Sequence, residues 1–102
     1  MKLLTRKEEL VLLSIFQNEG KSHLIEILEY LSKNTKEKWL ISTIHAVLDR
    51  LEKAGYLNSE MGEPSSKRGG KAVKFYLLNK KSKKALEEIK AVNAVMWKGV
   101  LS

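Results

Sequence analysis

Basic residues cluster in two short stretches of this sequence. The second comprises Lys80, Lys81, Lys83 and Lys84, and the first lies within a segment rich in turn-forming residues. Lys67, Arg68, Lys71 and Lys74 lie within a few positions of one another, with a Gly-Gly pair among them. Lysine and arginine side chains neutralise phosphate oxygens, and a guanidinium can also enter a narrow minor groove of DNA. The stretch therefore predicts contact with a polyanion. The alternative is a charged loop that is disordered in the free protein.

A second group of polar side chains lies at the start of a segment whose apolar residues recur with helical spacing. Ser42, Thr43 and His45 lie off a stripe of apolar residues at three- and four-residue steps, which predicts a helix. These side chains can contact bases or phosphates, or they can form an ordinary solvated helix start, and Ser42 is interpreted as a cap or phosphate contact rather than a base contact. Arg50, farther along, either contacts phosphate or faces solvent, as does Lys53.

The composition of this 102-residue chain predicts one globular, basic domain. Its formal net charge of +7 and isoelectric point of about 9.7 favour a polyanionic partner. There is no cysteine, which excludes disulfides and thiolate metal sites. We find no signal-peptide pattern and no apolar run approaching the roughly 20 residues that span a bilayer, so we expect a cytoplasmic protein without a membrane partner.

No catalytic set stands out in the sequence. It offers neither a Ser-His-Asp arrangement nor paired carboxylates, and its glycines do not have the spacing of a nucleotide-binding loop. His23 and His45 do not have the pattern of a metal pair. We therefore expect neither enzymatic activity, nor a cofactor, nor a metal.

The order of predicted elements indicates the fold. Helices are expected over about 5–18, 22–31 and 42–54, strands over 56–60 and 73–78, and a last helix over 80–99. Thr5, Ser22 and Asn79 are the expected N-caps, and Gly20 and Gly55 the expected helix ends. Three helices followed by a hairpin form a winged helix-turn-helix, so the predicted class is mainly α with a small β hairpin. In this fold the start of the third helix enters the major groove.

The last helix carries a seam typical of a contact between two helices. The seam residues alternate three- and four-residue steps and are Leu86, Ile89, Asn93, Met96 and Val100. The predicted division is therefore a winged-helix domain over 1–79 and a dimerisation helix over 80–102. Trp97 has two interpretations, an anchor of the dimer interface, which we favour, and a flat surface on which a small aromatic effector stacks.

Most of the chain resembles the PadR family of bacterial transcriptional regulators. The matching stretches are I-S-T-I-H-A-V-L-D-R-L-E-K-A-G-Y-L (41–57), G-E-P-S-S-K-R-G-G-K-A-V-K-F-Y-L-L (62–78), L-T-R-K-E-E-L-V-L-L-S-I (4–15) and M-W-K-G-V (96–100). The resemblance implies a homodimer, held by the last helix against the partner's first and last helices. It also implies binding to a two-fold symmetric operator, usually to repress. His45 replaces the family's usual tyrosine, and Lys83 replaces a usual glycine.

The sequence thus predicts a regulator that binds double-stranded DNA as a homodimer. In this prediction the third helix and the hairpin contact the DNA. The competing hypothesis is a winged-helix adaptor that docks a protein without specific DNA binding. A polar start of the third helix together with a basic wing favours DNA, whereas an apolar patch at that start favours the adaptor.

Overall fold

The computed structural model describes residues 4–62 and 72–100, and within them the chain forms four helices and a three-stranded antiparallel sheet. In chain order the elements are α1 (Arg6–Gln17), β1 (Lys21–His23), α2 (Leu24–Thr35), α3 (Ile41–Lys53), β2 (Leu57–Met61), β3 (Lys74–Leu78) and α4 (Lys80–Met96). The predicted class, mainly α with a small β hairpin, is confirmed. Three predicted wing cations, Lys67, Arg68 and Lys71, lie outside the described residues.

Capping boxes begin α1 and α4 at the two predicted N-caps, Thr5 and Asn79. The Thr5 hydroxyl accepts from the Glu8 amide at 3.1 Å, and the Glu8 carboxylate accepts from the Thr5 amide at 2.7 Å. Asn79 and Ser82 make the equivalent pair of bonds at the start of α4. Each box satisfies backbone donors that a helix start leaves without an intrahelical partner.

The start of α2 differs from the prediction. Its N-cap is His23, whose Nδ1 accepts from the Glu26 amide at 3.3 Å, and not Ser22. Ser22 instead lies in β1, only 1% exposed, where its hydroxyl accepts from the Asn18 side-chain amide at 2.9 Å. The prediction of Ser22 as the cap is wrong because that residue belongs to the sheet.

β1 is a third strand that the sequence prediction missed. It pairs antiparallel with β3, so the strand order is β1-β3-β2. Three residues are too few to show an apolar alternation, which explains the omission. Gly20 leads into this strand at a φ of +84°, the left-handed conformation typical of the glycine that follows a helix, and its carbonyl accepts from the Leu78 amide at 3.0 Å.

One core joins the three N-terminal helices to the sheet. Its buried members are Val11, Leu12, Ile15, Ile27, Leu31, Trp39, Ile44, Val47, Leu48, Leu51, Leu57 and Tyr76. Trp39 occupies the predicted core position at 8% exposure, and its indole N–H donates to the Thr35 hydroxyl at 2.8 Å. Because the indole N–H has a hydrogen-bond partner, the ring can be buried at the end of the core, between α2 and α3.

α4 leaves this core after its first turns. Ser82 and Ala85 are buried, whereas Val95 and Met96 are each 71% exposed. The helix ends at Met96, earlier than predicted, and Trp97 is its C-cap. The second half of α4 therefore has an apolar surface without a covering element among the described residues.

Candidate nucleic-acid interface

α3 has a buried face and an opposite, solvent-facing one. The buried side chains, each at most 1% exposed, are Ile44, Val47, Leu48 and Leu51. The opposite side is defined here as the α3 surface and comprises Ser42, His45, Ala46, Asp49 and Lys53. These residues recur at three- and four-residue steps, so they form a continuous line along the helix. Ser42 and His45, both predicted contacts, therefore lie on the same surface.

Thr43 and Arg50, also predicted contacts, lie on a flank of α3. They are two helical turns apart, and Thr43 is half-buried. The Arg50 Nε atom is 3.8 Å from Glu8 Oε2 on α1, and the arginine side chain remains 56% exposed. A surface pair of this length contributes less than about 1 kcal/mol. Arg50 is thus held near α1 and remains accessible from solvent.

The first turn of α3 differs from those of the other helices. Its N-cap is Leu40, which has no polar side-chain atom, and Ser42 lies inside the first turn. Ser42 as a cap is therefore wrong, because the helix begins before it. Leu40 and Ile41 are 53% and 54% exposed. α3 consequently starts with two exposed apolar side chains where α1, α2 and α4 start with capping boxes.

Glu52 connects the flank of α3 to the hairpin. Its carboxylate accepts hydrogen bonds from the Ser59 hydroxyl on β2 and from Lys74 Nζ on β3, the latter at 2.9 Å. The hydrogen bond from Ser59 is the main cause that lowers the pKa of Glu52, and the hydrogen bond from Lys74 lowers this pKa further. The same carboxylate raises the pKa of Lys74. Lys74, predicted to contact DNA, is therefore already paired with an acidic group.

A second carboxylate lies in the middle of the α3 surface. Asp49 is 2.9 Å from Lys53 Nζ, and the hydrogen bond from that lysine lowers the pKa of Asp49. Charges on Lys53, His45 and Lys74 lower it further. Lys53 thus offsets an anion that would otherwise repel phosphate.

Several lysines that make no ion pair within the described ranges lie away from the α3 surface and the hairpin. Two groups of them stand out, one around the α2–α3 turn, defined as residues 36–40, and one at the start of α4. They are Lys33, Lys36 and Lys38 in the first group and Lys80, Lys83 and Lys84 in the second. The sequence prediction omitted the first group, although the high density of lysines in that polar segment would have indicated a basic surface there.

The junction between α3 and α4 is held by side chains from the start of α4. Lys81 Nζ donates to the Ala54 carbonyl at 2.5 Å and lies 4.5 Å from the centre of the Tyr56 ring. Asn79 donates to the Gly55 carbonyl at 2.9 Å. Lysine is unfavourable at a helix start, but Lys81 reaches the negative end of α3, where a cation is stabilising.

Metal and membrane sites are not found in the part of the chain that the structure covers. The described residues contain no group of three or more His, Asp or Glu side chains able to hold a metal ion. None of the helices among them is long and apolar enough to cross a bilayer.

Solved structures similar to this chain include several transcriptional regulators. A PadR family regulator from Eggerthella lenta is 25% identical, with a TM-score of 0.73 and coverage of 93% of this chain and 80% of that one. A PadR-like regulator from Bacillus cereus is 22% identical, with a TM-score of 0.76 and coverage of 92% and 86%. Bacillus subtilis PadR in complex with operator DNA is 18% identical, with a TM-score of 0.68 and coverage of 81% and 45%. No protein-family model and no curated protein matches the chain.

These similarities define the fold. The chain has a PadR-like winged-helix fold, as the resemblance of its sequence predicted. In a winged helix-turn-helix the helix at the position of α3 is the recognition helix.

Proposed function

We propose that this protein is a DNA-binding transcriptional regulator whose α3 surface enters the major groove. The observation that carries the proposal is the exposed polar line along α3, which is backed by a fully buried opposite face. Ser42 and His45 lie at the leading end of that line and are assigned to bases or phosphates, with Thr43 beside them. A solved structure with a similar fold, Bacillus subtilis PadR, is a complex with operator DNA, which supports DNA as the partner.

The hairpin is assigned to the neighbouring backbone or minor groove. Lys67, Arg68 and Lys71 are its proposed phosphate contacts, because no acidic residue intervenes between them. Lys74 and Arg50 are assigned weaker contributions, since each is next to a carboxylate on the protein. Glu52 then acts as a positioning residue that orients the base of the hairpin against α3.

We further propose that two copies associate through α4. The predicted contact residues on α4 are Leu86, Ile89, Asn93 and Met96, which recur at three- and four-residue steps. The other two, Trp97 and Val100, lie in the turn that follows the helix, so the predicted helical seam does not extend to them. The helical part of this surface begins against the core, and exposed apolar surface continues into the turn, with Trp97 at 57% and Val100 at 58% exposure. The nearby Phe16 on α1 is also 55% exposed, which supplies a matching surface on the partner. Burying large apolar side chains favours association.

Trp97 is assigned to this interface as an anchor. The groove between α1 and α4 is lined by Glu9, Leu13, Phe16, Lys83, Leu86, Glu87, Lys90 and Asn93, and Trp97 is not among them. We therefore favour the interface over stacking of an aromatic effector. A two-fold dimer presents two α3 surfaces, so the proposed target is a two-fold symmetric operator. Repression is the proposed outcome because the resemblance to the PadR family implies it.

A titration of the protein with fluorescent DNA from upstream of its own gene tests the proposal. We expect tight binding whose logarithmic affinity falls linearly with the logarithm of salt concentration, because phosphate neutralisation releases counterions. Arg68→Ala is expected to weaken binding to all sequences about equally and to reduce the steepness of the salt dependence by about 1, the value for one lost phosphate contact. Equal affinity for all DNA sequences, unaffected by Arg68→Ala, would contradict the proposed role of the hairpin.

The adaptor hypothesis has one observation in its favour, the exposed pair Leu40 and Ile41. It predicts no salt-sensitive DNA binding and a partner that contacts this pair. Lys36 and Lys38, which precede the pair in the α2–α3 turn and make no ion pair within residues 4–62 and 72–100, favour DNA instead. Absence of DNA binding at low salt would decide for the adaptor.

A further inference from the structure

We propose that the α2–α3 turn and the first residue of α3 recognise thymine-containing DNA. In this proposal Leu40 and Ile41 contact thymine 5-methyl groups, and Lys36 and Lys38 contact the flanking phosphates. The inference rests on the proposed function, and it adds specificity-determining residues outside the α3 surface.

The first argument concerns the apolar side chains. Leu40 and Ile41 are more than half exposed, while the core behind them is closed by Trp39 at 8% and Ile44 at 0% exposure. Completing the core therefore does not explain them. A polar N-cap would stabilise α3, so helix stability does not explain Leu40 either. Apolar contact with the thymine methyl group is an established way of reading the major groove, and this end of α3 is the one that enters it.

The second argument concerns charge. Lys36 and Lys38 are exposed and make no ion pair in the described part of the chain, whereas Lys53 and Lys74 each pair with a carboxylate. Glu37 lies between these two lysines, so the turn carries a net charge of one cation, and neither lysine forms an ion pair with it among the described residues. An apolar protein surface would not complement such exposed charged groups beside the apolar pair. The edge of the major groove offers both kinds of group, methyls within it and phosphates along its border.

The principal test removes thymine methyl groups from the DNA. The wild-type protein first selects its preferred sequence from a random pool, and each thymine is then replaced singly by deoxyuridine, which lacks the 5-methyl group. At contacted thymines we expect about fourfold weaker binding, the equivalent of one lost buried methyl group. Ile41→Ser and Leu40→Ser should bind the thymine DNA more weakly and lose the sensitivity to substitution at those positions.

A salt titration tests the lysines. Lys36→Gln and Lys38→Gln should each reduce the steepness of the logarithmic salt dependence by about 0.9, the value for one lost phosphate contact. Lys98→Gln removes a cation from the turn that follows α4, and this control should change neither the salt slope nor the sensitivity to deoxyuridine.

Folding is checked by thermal unfolding of the variants. Leu40→Ser introduces a serine at the N-cap, so its midpoint should be no lower than that of the wild type even though DNA affinity falls. The proposal is overturned if the wild type binds every deoxyuridine DNA as tightly as the parent, or if the variants retain the wild-type pattern of losses. If the wild type selects no sequence at all, it is the proposed function that fails.

Discussion

α3 and α4 both present a solvent-facing surface, but the two surfaces differ in kind. The α3 surface carries Ser42, His45 and a compensated pair, Asp49 with Lys53, and its opposite face is fully buried. The second half of α4 exposes valines, Met96 and Trp97. The polar surface suits a hydrated polyanion, whereas the apolar one suits another apolar surface. Stability, DNA affinity and association should therefore respond to different substitutions.

The largest difference in the effect of substitutions on stability is expected between the two faces of α3. Leu48→Ala should lower the free energy of unfolding by about 2–5 kcal/mol, because Leu48 is 0% exposed and truncation leaves a cavity. His45→Ala, on the exposed face, should change that free energy by no more than about 0.5 kcal/mol while weakening DNA binding. Urea unfolding and DNA titration of both variants check this contrast. Equal losses of stability would contradict the assignment of His45 to the exposed surface.

The apolar surface of α4 is tested by adding a charge to it. Met96→Glu should raise the dimer dissociation constant at least about 100-fold, since a two-fold contact would bury the new carboxylate in both copies. Met61→Glu is a matched control, because Met61 is 63% exposed at the end of β2 and lies outside the proposed interface. Sedimentation equilibrium measures both constants. A wild-type protein that is monomeric at micromolar concentration would contradict the dimer.

A smaller effect is expected where the hairpin joins α3. Glu52→Gln should cost about 1 kcal/mol at neutral pH by weakening the bonds from Ser59 and Lys74. Because the folded pKa of Glu52 is lowered from its ordinary value of 4.5, this stabilisation is complete above that pH. It is lost as the pH falls through the folded pKa.

Urea unfolding at several pH values measures the difference between Glu52→Gln and the wild type. The difference should shrink on acidification below pH 4.5. Glu29→Gln, an exposed substitution on α2, is the control and should have little effect at any pH. A difference that stays constant between neutral and acidic pH would show that the ionised carboxylate is not the source of the stability.

Much of the fold could be predicted from the sequence because apolar periodicity and polar caps are local signals. The helical repeat of α3, the capping box at Thr5 and the cap at Asn79 all needed only neighbouring residues. The same reasoning misplaced the starts of α2 and α3. Ser22 and Ser42 have the right residue type for a cap, but sheet pairing and an earlier helix start decided their positions.

The candidate site was less predictable because its charges interact across long stretches of chain. Lys74 is far from Glu52 in sequence, as Lys81 is from Ala54, so composition alone presents both lysines as available cations. Periodicity did place Ser42 and His45 on one surface, because that relation is set within a single helix. Lys36 and Lys38 differ from Lys53 and Lys74 in having no ion pair within the part of the chain that the structure describes, and such a difference is visible only in the folded protein.

The Lys81 and Asn79 bonds have a consequence for the length of the DNA site. They anchor the first turn of α4 to the end of α3, so the direction of α4 is coupled to that of α3. In a dimer that associates through α4, the angle at which the two α4 helices cross would set the distance between the two α3 helices. Binding to half-sites one DNA turn apart requires about 34–36 Å between them. Changing this junction would alter which spacing the protein accepts while leaving each half-site's contacts intact.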